Sequence, residues 1–179
     1  MTHATASQTA GPYWHMIDFP AWADLLRADG PNAGASGERI VLTGCITDGS
    51  GAVVPDAMVE IWQADPDGSY DSSFHGFGRC ATDAEGRYRF VTVRPGAVPG
   101  PGNSTQAAHV VITIFARGLM KGLVTRAYFA GDARLSEDPV LAMVPAARRG
   151  TMIATPAGDG EWRLDIRLQG DGETVFLEV

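Results

Sequence analysis

The chain is poor in cysteine, poor in histidine and short of basic residues. Two cysteines in 179 residues exclude a disulfide-stapled scaffold and the paired CxxC motifs of structural zinc sites. The four histidines, His3, His15, His75 and His109, fall in four different sequence environments, and no HExxH spacing joins any of them. Fourteen Lys and Arg against 21 Asp and Glu leave a net charge of −7, which argues against nucleic acid or an anionic membrane surface as partner. A small anion then needs an arginine placed locally. No apolar run reaches transmembrane length, and the opening MTHATASQTA lacks the basic-then-apolar order of a secretory signal. Cys45 and Cys80 are accordingly read as reduced thiols in a cytosolic protein, a disulfide between them being the alternative. Phosphate-cradling glycine motifs and the GxSxG nucleophile elbow are absent as well.

What is abundant is turn chemistry. Twenty-two Gly and 11 Pro punctuate a series of short apolar segments: RIVLTGCITD, AMVEIWQAD, GRCATDAEGRYRFVTV, HVVITIFA, LVTRAYFA, GTMIATP, EWRLDIRL and TVFLEV. Short strands separated by Gly/Asp/Pro turns predict an all-β sandwich. One short helix is expected over residues 20–30, PAWADLLRADG, with Pro20 in its first turn and Gly30 as its stop. Residues 132–150, DARLSEDPVLAMVPAARRG, are expected to hold a further helical turn. The aromatic N-terminal stretch, with Tyr13, Trp14, Ile17 and Phe19, is too apolar for a disordered tail and reads as an ordered arm. The predicted organisation is residues 1–37 as arm and helix, and 38–179 as the sandwich. RPGAVPGPGNSTQAA, residues 94–108, is a long Pro/Gly-rich loop of the kind that often carries function.

That loop leads into His109. Side chains alternate along a strand, so His109, Val111 and Thr113 share a face. A second histidine at position 111 would make a metal-binding pair, but valine stands there. By spacing alone His109 reads as a hydrogen-bonded histidine of the scaffold, and no catalytic apparatus is evident.

Several segments, taken in order, resemble the intradiol ring-cleaving dioxygenases. TGCITDGSGAVVPDAMVEIWQADPDGSY, with its Glu60–Ala64 run, is similar to the strand–turn–strand core of that family. GRCATDAEGRYRFVTVRPG resembles the hairpin that follows, AHVVITIFARG and LVTRAYFAGD the central strands, and DIRLQGDGETVFLEV the closing ones. SQTAGPYW resembles the family's N-terminal segment in its two-chain members that cleave protocatechuate; the choice of the α over the β chain rests on the metal ligands. The resemblance implies an intradiol-dioxygenase-type sandwich and a ferric ion held by two tyrosinates and two histidines. Three of those four positions differ here. Val98 stands at the second-loop tyrosine and Val111 at the second histidine. The loop between Tyr70 and Arg79, DSSFHGFG, is too short to carry the first tyrosine.

The implied reading is a subunit with no metal ligands and no catalytic residues of its own, inactive alone. Fe(III) then belongs to a homologous β chain in an α–β oligomer. The reaction, O2-dependent opening of protocatechuate to 3-carboxy-cis,cis-muconate in the β-ketoadipate route of bacterial cytoplasm, occurs there. Five residues are expected to meet substrate. Thr9 brings a hydroxyl, Gly11 and Pro12 a tight turn close to the ligand, and Tyr13 an aromatic wall. Arg126, a charge within an apolar strand, is set either for the substrate carboxylate or for a salt bridge. Glu60, Trp62 and Gln63 are assigned to scaffold and interface, and Asp65, Asp67 and Gly68 to a turn. Two alternatives are a non-catalytic transthyretin-like binding module and a self-sufficient iron enzyme using His75 or Tyr88.

Overall fold

The computed structural model describes residues 19–178. Eleven strands follow in chain order: β1 (Arg39–Thr47), β2 (Met58–Gln63), β3 (Phe77–Ala81), β4 (Arg87–Val93), β5 (Val98–Pro99), β6 (Thr105–Gln106), β7 (His109–Phe115), β8 (Leu123–Phe129), β9 (Ile153–Gly158), β10 (Glu161–Arg163) and β11 (Ile166–Arg167). Two layers result. In one, β1 pairs antiparallel with β4 on one side and parallel with β10 and β11 on the other. In the other, the order is β8-β7-β2-β3, all antiparallel. β9 belongs to both: Ile153 and Ala154 pair parallel with β8, and Thr155 to Gly158 run against β10.

Alternation along the strands builds the core between the layers. Ile40, Leu42 and Ile46 of β1 and Tyr88 and Phe90 of β4 meet Val59, Ile61, Val110, Ile112, Ile114, Ala127 and Phe129 from the other side. The predicted sandwich is present, with one difference in its connections. β3 and β4, on either side of the DAEG turn, do not pair with each other; β3 joins β2 and β4 joins β1. The turn carries the chain from one layer to the other, with Asp83 Oδ1 accepting from the amides of Glu85 and Arg87 at 3.0 and 2.9 Å. Gln63 takes a scaffold role and Asp65 a turn role, as assigned. Gln63 is buried and bridges the layers, donating to the Val93 carbonyl at 2.9 Å and accepting from the Thr92 hydroxyl at 2.9 Å. Asp65 Oδ1 holds the amides of Asp67 and Ser69.

Three local expectations are corrected. Residues 20–30 do not form one helix: a 3-10 turn, Pro20–Ala23, ends at Asp24, which is extended. The Leu25 amide there donates to the Val91 carbonyl at 2.9 Å, so pairing with β4 wins over helix continuation. The α-helix lies elsewhere, at α1 (Pro139–Met143), capped by Asp138. EWRLDIRL is split between β10 and β11 because the Asp165 carboxylate takes the Cys45 amide at 2.9 Å, interrupting the ladder. TVFLEV makes one bridge, Leu177 to Val124, rather than a strand. Cys45 on β1 and Cys80 on β3 are both thiols. No helix among the described residues is long and apolar enough to cross a membrane.

Candidate substrate-facing site

The layer that contains β7 and β8 has an outer face, opposite the core. His109 and Tyr128 are register partners on it, as are Val111 and Arg126. The excursion between β8 and β9 folds back over one end: Leu141, Val144 and Met152 pack on Tyr128 and Ala107 as a second, smaller core. Trp62 on β2 is the register partner of Val111, next to Arg126 on the same face. It stacks on Tyr70, ring centroids 5.9 Å apart and planes within 9°, and both remain exposed.

His109 is 3 % exposed. Its Nδ1 lies 2.7 Å from the Ala107 carbonyl, which can only accept, so Nδ1 carries the proton and Nε2 the lone pair. Burial, and then the nearby Arg126 guanidinium, push its pKa down to about 4, so the ring is neutral at pH 7. This is the tautomer of a metal-ligating histidine steadied from behind by a backbone carbonyl.

Arg126 is half-buried. Its Nη1 donates to Gln106 Oε1 at 2.7 Å and to the Tyr128 hydroxyl oxygen at 3.1 Å. Tyr128 in turn donates to Asp138 Oδ1 at 3.0 Å. Asp138 is fully buried and its other acceptor positions are used: Oδ1 caps α1 through the amides of Val140 and Leu141, and Oδ2 takes the Ala107 amide at 2.8 Å. Burial raises the Tyr128 pKa, with Arg126 opposing, so the phenol keeps its proton. The β5–β6 hairpin brings the long 94–108 loop to the same place: Val98 pairs with Gln106, and Gln106 Nε2 donates to the Pro99 carbonyl.

The ferric ion implied for the family does not fit these residues. The set offers one imidazole and a neutral phenol already bound on both sides, and Arg126 puts positive charge near the imidazole. Val111 and Val98 are apolar, and Val98 is buried. Among the described residues no three His, Cys, Asp or Glu side chains cluster as a metal site. Nor do the alternative ligands help. Tyr88 is buried in the opposite layer with its hydroxyl on the Leu164 carbonyl, and His75 sits in an exposed loop whose backbone is pinned by both side-chain groups of Asn32.

Of the five residues expected to meet substrate, Arg126 is in this constellation; Thr9, Gly11, Pro12 and Tyr13 lie outside the described residues. Sequence reasoning missed Gln106, Tyr128 and Asp138. A signal existed for two of them: Tyr128 is two residues from Arg126 on one strand face, and Asp-Pro before an apolar run marks a helix N-cap.

A two-layer sandwich with a lone histidine on its central outer face and the intradiol-type motif order defines a class. The sequence matches the Dioxygenase family over residues 10–170, and the chain belongs to that family. It is similar to the protocatechuate 3,4-dioxygenase alpha chain of Pseudomonas putida, 39% identical over 197 aligned positions that take in 97% of this chain and 96% of that one. The match to the protocatechuate 3,4-dioxygenase beta chain of Burkholderia cepacia is 40% identical over 144 positions but takes in 73% of this chain and 61% of that one. Among solved structures, the dioxygenase domain of a dioxygenase–carbohydrate-binding protein fusion from Streptomyces sp. SirexAA-E superposes with a TM-score of 0.66 at 25% identity, covering 94% of this chain and 99% of that domain. Family membership removes the transthyretin-like alternative.

Proposed function

We propose that this chain is the iron-free α subunit of a protocatechuate 3,4-dioxygenase. A homologous β chain holds Fe(III) and carries out the ring opening. Protocatechuate and O2 give 3-carboxy-cis,cis-muconate, both oxygen atoms entering the two new carboxylates. The α chain shapes the cavity, supplies charge and assembles the oligomer in the bacterial cytoplasm. Residues 1–37 form the partner-facing arm, in which Thr9, Gly11, Pro12 and Tyr13 line the cavity, and residues 38–179 form the sandwich.

The observation that carries this reading is Arg126. A guanidinium on the outer face of an apolar strand is expensive without a counter-charge, yet among the described residues it makes no ion pair and is held only by neutral acceptors. A carboxylated substrate supplies the missing charge. End-to-end similarity to an alpha chain supports the choice between chains, and the poor donor set around His109 supports placing iron on the partner.

The test is co-expression with the β chain followed by iron and oxygen-uptake assays. The assembled protein is expected to hold iron and consume O2 with protocatechuate, and this chain alone to be colourless and silent. Iron bound stoichiometrically by the isolated chain would overturn the reading. In the assembled enzyme, Arg126→Gln is expected to raise KM for protocatechuate about tenfold or more while lowering kcat less.

A further inference from the structure

Arg126 has five N–H donors in a rigid fork, and only those on Nη1 are engaged among the described residues. Two acceptors of different origin grip that one amino group. Gln106 comes from the β5–β6 hairpin and is itself tied to Pro99. Tyr128 comes from the same strand as Arg126, two residues on, and is tied to Asp138. Asp138 can only accept, so the Tyr128 proton points to it and the phenol oxygen is left to accept from Arg126. Donation to a buried carboxylate enriches that oxygen and strengthens the bond it receives. Asp138 is fixed by three backbone amides, two in α1 and one at Ala107. The guanidinium thus hangs from the rigid part of the fold at one end, leaving the edge made by Nε and Nη2 with its donors unused. With Nη1 taken, that edge is the one left to make a bidentate pair with a carboxylate.

We propose that Tyr128 and Gln106, with Asp138 behind Tyr128, are positioning residues that lock Arg126 with its Nε–Nη2 edge presented to the carboxylate of the aromatic substrate, and so set selectivity for carboxylated over plain catechols. The inference rests on the reading of Arg126 given above. A free arginine would sacrifice rotamer freedom on binding; one already held by Nη1 has less to lose. The relay acts on binding of the carboxylate and leaves the ring-opening step to the partner.

The experiment is steady-state oxygen uptake by the assembled α–β enzyme with protocatechuate and with 4-methylcatechol, which lacks the carboxylate. Tyr128→Phe keeps the ring and removes the hydroxyl. It is expected to raise KM for protocatechuate about three- to tenfold, with kcat falling less, and to change kcat/KM for 4-methylcatechol by less than about twofold. Gln106→Met, on the half-buried hairpin, is expected to do the same and decides the matter if the tyrosine variant fails to assemble. Equal losses with both substrates would mean general loosening and overturn the proposal. An unchanged protocatechuate KM in both variants, with Arg126→Gln still raising it, would overturn the relay and leave the reading of Arg126 standing. If Arg126→Gln itself changes nothing, that reading falls and the relay with it.

Discussion

The hydroxyl of Tyr88 on β4 donates to the carbonyl of Leu164, 2.7 Å away and 76 residues on. The bond closes the one gap in the parallel edge of β1, where the chain passes from β10 to β11. Gly44 leaves room for it: a Cβ there would lie 1.9 Å from the Leu164 oxygen and 2.8 Å from the tyrosine hydroxyl. Tyr88→Phe is therefore expected to cost about 1–2 kcal/mol, the penalty of leaving a buried carbonyl without its partner. Gly44→Ala is expected to cost more, because backbone rather than a side-chain tip must move. Urea unfolding of the two variants checks the order; a silent Gly44→Ala would contradict it.

His109 makes stability depend on pH. Its folded-state pKa, about 4, lies below the ordinary 6.5, so the unfolded chain binds more protons between those values. Stability conferred by the neutral ring is present above about pH 6.5 and is lost as pH falls toward 4. The full contribution is roughly 3 kcal/mol. His109→Gln is expected to flatten this limb of the stability–pH curve, measured by denaturant midpoints between pH 7 and 4.5. A variant curve parallel to the parent's would be evidence that the histidine is not buried neutral.

Restoring one histidine should not restore a metal centre. Val111→His puts a second imidazole on the face of His109, but its register partner is Arg126, and the Tyr128 phenol stays protonated and occupied by Asp138. The purified variant is expected to remain free of stoichiometric iron and to lack the visible absorption of a ferric tyrosinate. A coloured protein would disprove the argument from donor chemistry.

Arg79 is held on the outer face by the Glu60 carboxylate, its Nε donating to Oε1 at 2.8 Å, and its guanidinium lies 5.4 Å from the ring centroids of both Trp22 and Phe77. Lysine keeps the charge but loses the planar fork and the stacking. Arg79→Lys is expected to cost about 1–2 kcal/mol in thermal or urea unfolding. A loss no greater than that of an exposed substitution would mean that charge alone matters there.

The sandwich was legible because its signal is local: Ile40, Leu42 and Ile46, or Val110, Ile112 and Ile114, alternate within one segment and announce which face is buried. Leu25 shows where such reading stops. Its local context, Pro20 to Gly30, favours a helix, but the Val91 carbonyl that captures its amide lies far along the chain and overrides it. The same applies to the partner of β3, since the DAEG turn allows a hairpin and only the competing edge of β2 decides against one. At the site, Arg126 stood out as a charge in an apolar strand. Gln106 and Asp138 did not, because their meaning lies in what they touch, 20 residues and 10 residues away from the groups they serve.

Because β9 is a member of both layers, neither can slide or peel without breaking the strand that stitches it to the other. Slow amide exchange should therefore appear across the two sheets as a single cooperative block, with no intermediate in which one sheet survives. The seam is short: Ile153 and Ala154 hold one sheet and Thr155 to Gly158 the other, so a break at this one strand would uncouple the two walls at that edge.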